Sequence, residues 1–61
     1  EEESLISKRK TIDLKPMDEE EAILQMELLG HDFFIFKNVD TENISVVYKR
    51  KDGRYGIIDA N

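Results

Sequence analysis

Gly30-His31-Asp32-Phe33-Phe34-Ile35-Phe36-Lys37 is the stretch on which the fold turns. Its centre, Phe33 to Phe36, is a continuous apolar run, too short for a helix and made of residues that favour extended backbone. A strand that is apolar on both sides has to be buried on both sides. The polar segment Asn38-Val39-Asp40-Thr41-Glu42-Asn43 leads from it to a second strand, Ile44 to Arg50. Asp52-Gly53 then reads as a tight hairpin turn of the kind Asp-Gly favours, with a return strand from Arg54 to Ile58. Three consecutive strands joined by short connections predict an antiparallel meander.

Side chains alternate along a strand, so Ile44, Val46 and Tyr48 share one face while Ser45, Val47 and Lys49 share the other. In the same way Phe33 and Ile35 oppose Phe34 and Phe36, and Tyr55 and Ile57 oppose Gly56 and Ile58. Both faces of the sheet carry apolar residues. Alternation alone does not say which face meets the rest of the chain.

Working back from Gly30, the sequence predicts one helix, from about Glu19 to Leu29. Asp18 has the character of an N-cap, with Glu21 three residues on in a capping-box pattern, and Glu19 and Glu20 lie near the positive end of the helix dipole. Ala22, Ile23, Met26 and Leu29 follow the spacing of a buried face, and Leu24 and Leu28 widen it. Gly30 supplies a left-handed stop. The breadth of the stripe predicts that a second surface of the helix is also covered. Further back, Ile6 to Leu14 reads as an edge strand. Ile6, Ile12 and Leu14 alternate on one side with the stems of Lys8 and Lys10, and lysine discourages stray pairing. Pro16, lacking a donor, is expected to end that strand.

A single helix of this length covers one face of a three-stranded meander and leaves the other as an apolar patch larger than a lone domain usually exposes. Size sharpens the point. A domain of 61 residues buries only about 60% of its unfolded surface, and domains this small usually gain a staple from disulfides, metal, association or unusually efficient packing. Cysteine is absent and there is one histidine, which excludes disulfides and the usual structural zinc set. Association, in which a second copy supplies the missing cover through a two-fold axis, is the simplest remedy.

The chain holds 14 acidic and 9 basic residues, a net charge of −5. All of the excess lies before His31, in the lead-in Glu1-Glu2-Glu3 and in the helix start Asp18 to Glu21. Residues 1–5 read as a linker remnant and 6–61 as the domain. The triplets Lys8-Arg9-Lys10 and Lys49-Arg50-Lys51, with Tyr48 and Tyr55 as stacking rings, raise a nucleic-acid contact as the alternative. Strand alternation splits each triplet between two faces, however, and the chain is acidic overall, which favours solvated strand ends. His31-Asp32 has no nucleophile in context, and a histidine just past a helix end more often serves the C-terminal dipole. The acidic run lacks the spaced ligands of a calcium loop, and Gly53 and Gly56 are too sparse for a phosphate cradle. Nothing here predicts an enzyme, cofactor, metal, membrane span or small-molecule substrate.

Leu14-Lys15-Pro16-Met17-Asp18, Glu20-Glu21-Ala22, Gln25-Met26, Leu28 to Phe34 and Val47 to Gly56 together form a long colinear pattern. It resembles the C-terminal domain of the long-form bacterial ribosome hibernation promoting factors, over about Leu14 to Ile58. Lys49 and Ile57 stand where the family more usually has arginine and leucine. The resemblance implies a cytoplasmic, ribosome-associated regulator of translation under stress. Its N-terminal domain, outside these 61 residues, binds the small subunit, and its C-terminal domain homodimerises to bridge two ribosomes into an inactive pair. This chain alone would then pair without silencing a ribosome; the alternative under the same resemblance is a module that contacts ribosomal RNA or ribosomal protein as a monomer. The resemblance further implies that Phe33, Ile35, Val46, Tyr48 and Tyr55 form the dimer surface. The expected architecture is a small α+β domain of order β-α-β-β-β, a mostly antiparallel sheet with one helix on one face and homodimerisation on the other.

Overall fold

The computed structural model describes residues 5–60. Of residues 1–5, read above as a linker remnant, 1–4 lie outside the described residues. The order is β-α-β-β-β: β1 (Pro16–Met17), α1 (Glu19–Leu29), β2 (Phe33–Asn38), β3 (Ile44–Lys49) and β4 (Tyr55–Ala60). The four strands lie in the sheet order β1-β2-β3-β4, with β1 parallel to β2 and the other neighbours antiparallel. This is the expected α+β architecture.

Local chemistry sets the helix ends. Glu21 N donates to Asp18 Oδ1 at 2.8 Å, satisfying one of the donors that a helix start leaves without an internal partner. The return half of the capping box is replaced, because Glu21 Oε2 accepts from Gln25 Nε2 at 2.9 Å, one turn along. At the other end Gly30 takes φ 70°, Gly30 N donates to Glu27 O and His31 N to Met26 O, both at 3.1 Å. Two carbonyls at the helix end are thus met by backbone donors, as in a Schellman-type stop. His31 contributes to this end through its backbone.

The helix lies across β2 and the adjoining side of β3. Ala22, Met26, Phe36 and Val47 are fully buried between them, with Met17, Ile23, Phe34 and Ile57 packed around. The register places Phe34 opposite Val47, and Val47 opposite Ile57. Those residues therefore form one apolar row beneath the helix. Asn38 is also fully buried. Its Nδ2 donates to Glu19 Oε2 at 3.2 Å, its Oδ1 accepts from Asp40 N at 2.9 Å, and its backbone pairs with Asn43 and Glu42. One side chain thereby ties the helix start to the β2–β3 loop, and among the described residues no buried side-chain polar atom is left unmet. Glu42, at φ 62°, is the non-glycine residue that takes the left-handed conformation in that loop.

Three expectations need correction. The first strand is not Ile6 to Leu14 but the two residues Pro16–Met17; residues 5–13 are exposed and Leu14 is half-buried. Proline does not end the pairing here. The ladder uses the carbonyls of its neighbours, Lys37 N donating to Lys15 O at 3.3 Å and Val39 N to Met17 O at 3.1 Å, so the missing Pro16 donor is not called upon on this edge. The second correction is the hairpin. Arg50 N donates to Arg54 O at 2.8 Å and Gly53 N to Arg50 O at 3.3 Å, enclosing a three-residue loop, Lys51 to Gly53. Gly53 alone in that loop takes a positive φ, 86°, whereas the two-residue turn needs two such residues. Asp52 braces the loop with its carboxylate, Oδ1 accepting from Arg54 N at 2.9 Å and Oδ2 from Arg50 Nε at 3.2 Å. Third, Leu24, Leu28 and Leu29 are exposed, since one sheet cannot reach around both flanks of the helix; no second surface among the described residues covers them.

Candidate functional site

The face of the sheet away from the helix is built from the alternate residues of three strands. Reading across the registers, Phe33, Tyr48 and Gly56 form one row, Ile35, Val46 and Ile58 the next, and Lys37, Ile44 and Ala60 the last. Phe33 and Ile58 are each 57% exposed and Ile44 44%, while Ile35, Val46 and Tyr48 between them are half-buried. Lys37 is the only charged side chain of the nine. Each row is a set of cross-strand neighbours about 5 Å apart, so the apolar groups are contiguous.

Tyr48 and Gly56 give this face its relief. A β-carbon at Gly56 would lie 2.5 Å from Tyr48 Oη and 2.6 Å from Cε1, well inside contact distance. The phenol therefore rests flat over the glycine backbone instead of standing off the sheet. Gly56 is required for that close approach, as a glycine in a strand interior often is.

Four of the five residues expected at the surface, Phe33, Ile35, Val46 and Tyr48, share this face. Tyr55 does not. It pairs with Lys49 and points to the helix side, where its hydroxyl donates to Glu27 Oε2 at 2.5 Å. The cause lies in the hairpin. A two-residue Asp-Gly turn would put Tyr55 and Ile57 on the Tyr48 face. The extra loop residue slips β4 by one position, and a slip of one exchanges the faces. Gly56 and Ile58 take the open positions instead. Ile58 was missed in the expected site for that reason. The triplet Lys51-Asp52-Gly53 was the available signal, since a three-residue loop with glycine last is the next most common hairpin after the two-residue one.

Glu27 joins the helix to the far strands. Lys49 Nζ lies 3.4 Å from its Oε1, opposite the Tyr55 hydroxyl on Oε2. Above all the phenol hydrogen bond holds the Glu27 carboxyl below the usual carboxylate range; desolvation opposes it, and the Lys49 ammonium adds to the lowering. The same bond, with desolvation and the carboxylate charge added, raises the Tyr55 phenol above its ordinary value. On the basic side Arg50 is 3.2 Å from Asp52, so two of the three cations in Lys49-Arg50-Lys51 already have carboxylate partners. Among the described residues no cluster of three or more histidine, aspartate or glutamate side chains could hold a metal, and no helix is long and apolar enough to cross a membrane.

A contiguous apolar sheet face beside one short helix is an arrangement many chains could share; sequence comparison narrows it. The family model described as "Sigma 54 modulation/S30EA ribosomal protein C terminus" matches residues 1–57. The chain belongs to that family. Among curated relatives, this S30EA C-terminal domain is 60% identical over 60 residues to the ribosome hibernation promotion factor of Bacillus subtilis (strain 168). The match takes in 97% of the present chain and 32% of that protein's length. The S30EA domain thus corresponds to about a third of its relative.

Proposed function

We propose that this domain is the homodimerisation module of a ribosome hibernation factor. The open face carries the reading: Phe33, Ile35, Val46 and Tyr48, extended by Ile44 and Ile58, form one apolar surface on the side of the sheet that the helix does not cover. A two-fold axis through that surface brings it against its own copy, Tyr48 and Phe33 supplying the aromatic groups that tend to dominate such interfaces. In the parent protein, residues 1–5 serve as the end of a linker, and a separate N-terminal domain holds the small ribosomal subunit. Pairing of two such domains then couples two ribosomes into a translationally inactive dimer during stress. The mechanism is mechanical and cytoplasmic, and calls for no catalytic group, cofactor or small-molecule substrate. Tyr55, bonded to Glu27 on the helix side, has no part in the pairing surface. The RNA-binding alternative is weakened by the carboxylates already beside Lys49 and Arg50.

Sedimentation equilibrium at micromolar concentration tests this directly. The expected species has twice the monomer mass of 7.1 kDa, and a folded monomer at that concentration would overturn the reading. If the chain instead bound ribosomal RNA with an affinity falling steeply with salt, the alternative would replace it.

A further inference from the structure

The helix is apolar on two sides, and the sheet accepts one of them. Ala22 and Met26, one turn apart, are fully buried, whereas Leu24 and Leu28, also one turn apart, are 52% and 71% exposed. Helical spacing sets the leucine pair on the side of α1 turned away from β2 and β3. Leu28 is more exposed than either Phe33 or Ile58, so this ridge is as bare as the open sheet face and lies on the opposite side of the molecule from it. Charge marks the same ridge. The helix carries Glu19, Glu20, Glu21 and Glu27 and no basic residue, even in its last turn, where a cation would answer the negative end of the dipole. By the same spacing Glu20 and Glu27 flank the leucines on one side and Glu21 on the other. Among the described residues one cation reaches a carboxylate of the helix, Lys49 at 3.4 Å from Glu27, which leaves the ridge strongly negative.

We infer that the ridge of Leu24 and Leu28 is a docking surface for a basic, amphipathic segment of a partner protein, whose apolar side chains cover the leucines while its lysines or arginines lie against Glu20, Glu21 and Glu27. The charge pattern selects this occupant. A nucleic-acid backbone or an anionic lipid surface would bring like charge onto the carboxylates. A second copy of the helix would set one row of glutamates against another, which opposes contact. A neutral apolar segment would cover the leucines but strip water from the glutamates without replacing it. A basic segment with apolar residues at helical spacing answers both features at once. This surface goes beyond the pairing reading and is separate from it. Because the helix and the open face lie on opposite sides of the sheet, a pair joined through its open faces carries two such ridges, both outward, and a partner offering two segments would gain from engaging both.

A synthetic amphipathic peptide of leucine and lysine, titrated into the isotope-labelled chain and followed by amide chemical shifts, tests this. The shifts are expected to concentrate at Glu20, Leu24, Glu27 and Leu28 and to spare Phe33, Val46 and Tyr48. Affinity should fall severalfold without vanishing as salt rises from about 0.05 M to about 0.5 M, since screening removes the charge contribution and leaves the apolar one. Leu24→Gln combined with Leu28→Gln, both at exposed positions, should keep the helical circular dichroism and the sedimentation mass and weaken the peptide by about tenfold or more. Glu20→Lys, which leaves both leucines in place, should weaken it severalfold. Undiminished binding to the leucine variant would overturn the docking, as would shifts on the open sheet face or a changed sedimentation mass in that variant. Anionic lipid vesicles and a single-stranded RNA are the rival occupants, and leucine-dependent binding of either with none of the peptide would overturn the choice of a protein partner. A chain that sediments as a monomer would overturn the pairing reading and leave the peptide result to decide the ridge.

Discussion

The two faces of the sheet are made of the same kinds of residue and meet different fates. Under the helix, Phe36 and Val47 lose all contact with solvent. On the opposite face Phe33 remains more than half exposed although it stands in the same strand, three residues away. Composition does not separate them; parity does. The helix has the length and the apolar stripe to cover one layer, and whatever lies on the other layer stays available. The lesson is that a minimal domain can hold a covered folding surface and an open apolar surface back to back in one sheet.

Breaking the covered face should have the largest effect. Phe36→Ala removes a fully buried aromatic, a change that typically costs about 3–5 kcal/mol, and urea melts followed by helical circular dichroism should find the domain largely unfolded. Phe33→Ala is the counterpart on the open face. The expected outcome is a loss of about 2 kcal/mol of dimerisation, read as a weaker dissociation constant in sedimentation, with the helix signal kept at concentrations where pairs persist. If the two substitutions behaved alike, the distinction between faces would fail.

Gly56→Ala sharpens the comparison on the open side alone. The added methyl group displaces the Tyr48 ring, and overpacking of this kind costs roughly 1–3 kcal/mol; the loss should show in the dimer dissociation constant more than in the melting of the fold. The smallest effect concerns the link between helix and sheet. Glu27 is depressed on folding, so its contribution is present above the unfolded carboxylate range and is lost as pH falls through its lowered folded value. Tyr55 is raised, so its contribution is full below the ordinary phenol range and is lost as pH rises through the higher folded value. A pH titration of the melting temperature should therefore show a shallow plateau bounded at both ends, and Tyr55→Phe should flatten the alkaline limit without altering dimer mass. An alkaline limit unchanged in that variant would show that the phenol bond contributes nothing.

Much of this was legible in the residues. Asp18, the periodic apolar residues that follow it and Gly30 specify a helix from local preferences alone, and the helix spans Glu19–Leu29 as expected. Phe33 to Phe36 and Ile44 to Lys49 are strands for similar reasons, and four of the five surface residues fall together because alternation within a strand is a local property. The failures share a non-local origin. Tyr55 depended on whether a hairpin loop held two residues or three, a difference that local preference leaves almost balanced and that exchanges every side chain beyond it. The 6–14 segment has the right alternation for a strand, but a ladder also needs a neighbour in register, and the first strand that pairs is Pro16–Met17.

The sequence by itself determined the element order, the helix and its ends, and the presence of more apolar strand surface than one helix can cover, because these follow from backbone preference and spacing along the chain. Only the tertiary structure decided which layer the helix occupies, that Gly56 and Ile58 rather than Tyr55 look outward, and that β1 pairs with Lys37 and Asn38 at the end of β2. Those depend on register and on which groups meet across the sheet, where the shift of a single residue or the reach of a single helix outweighs every local preference.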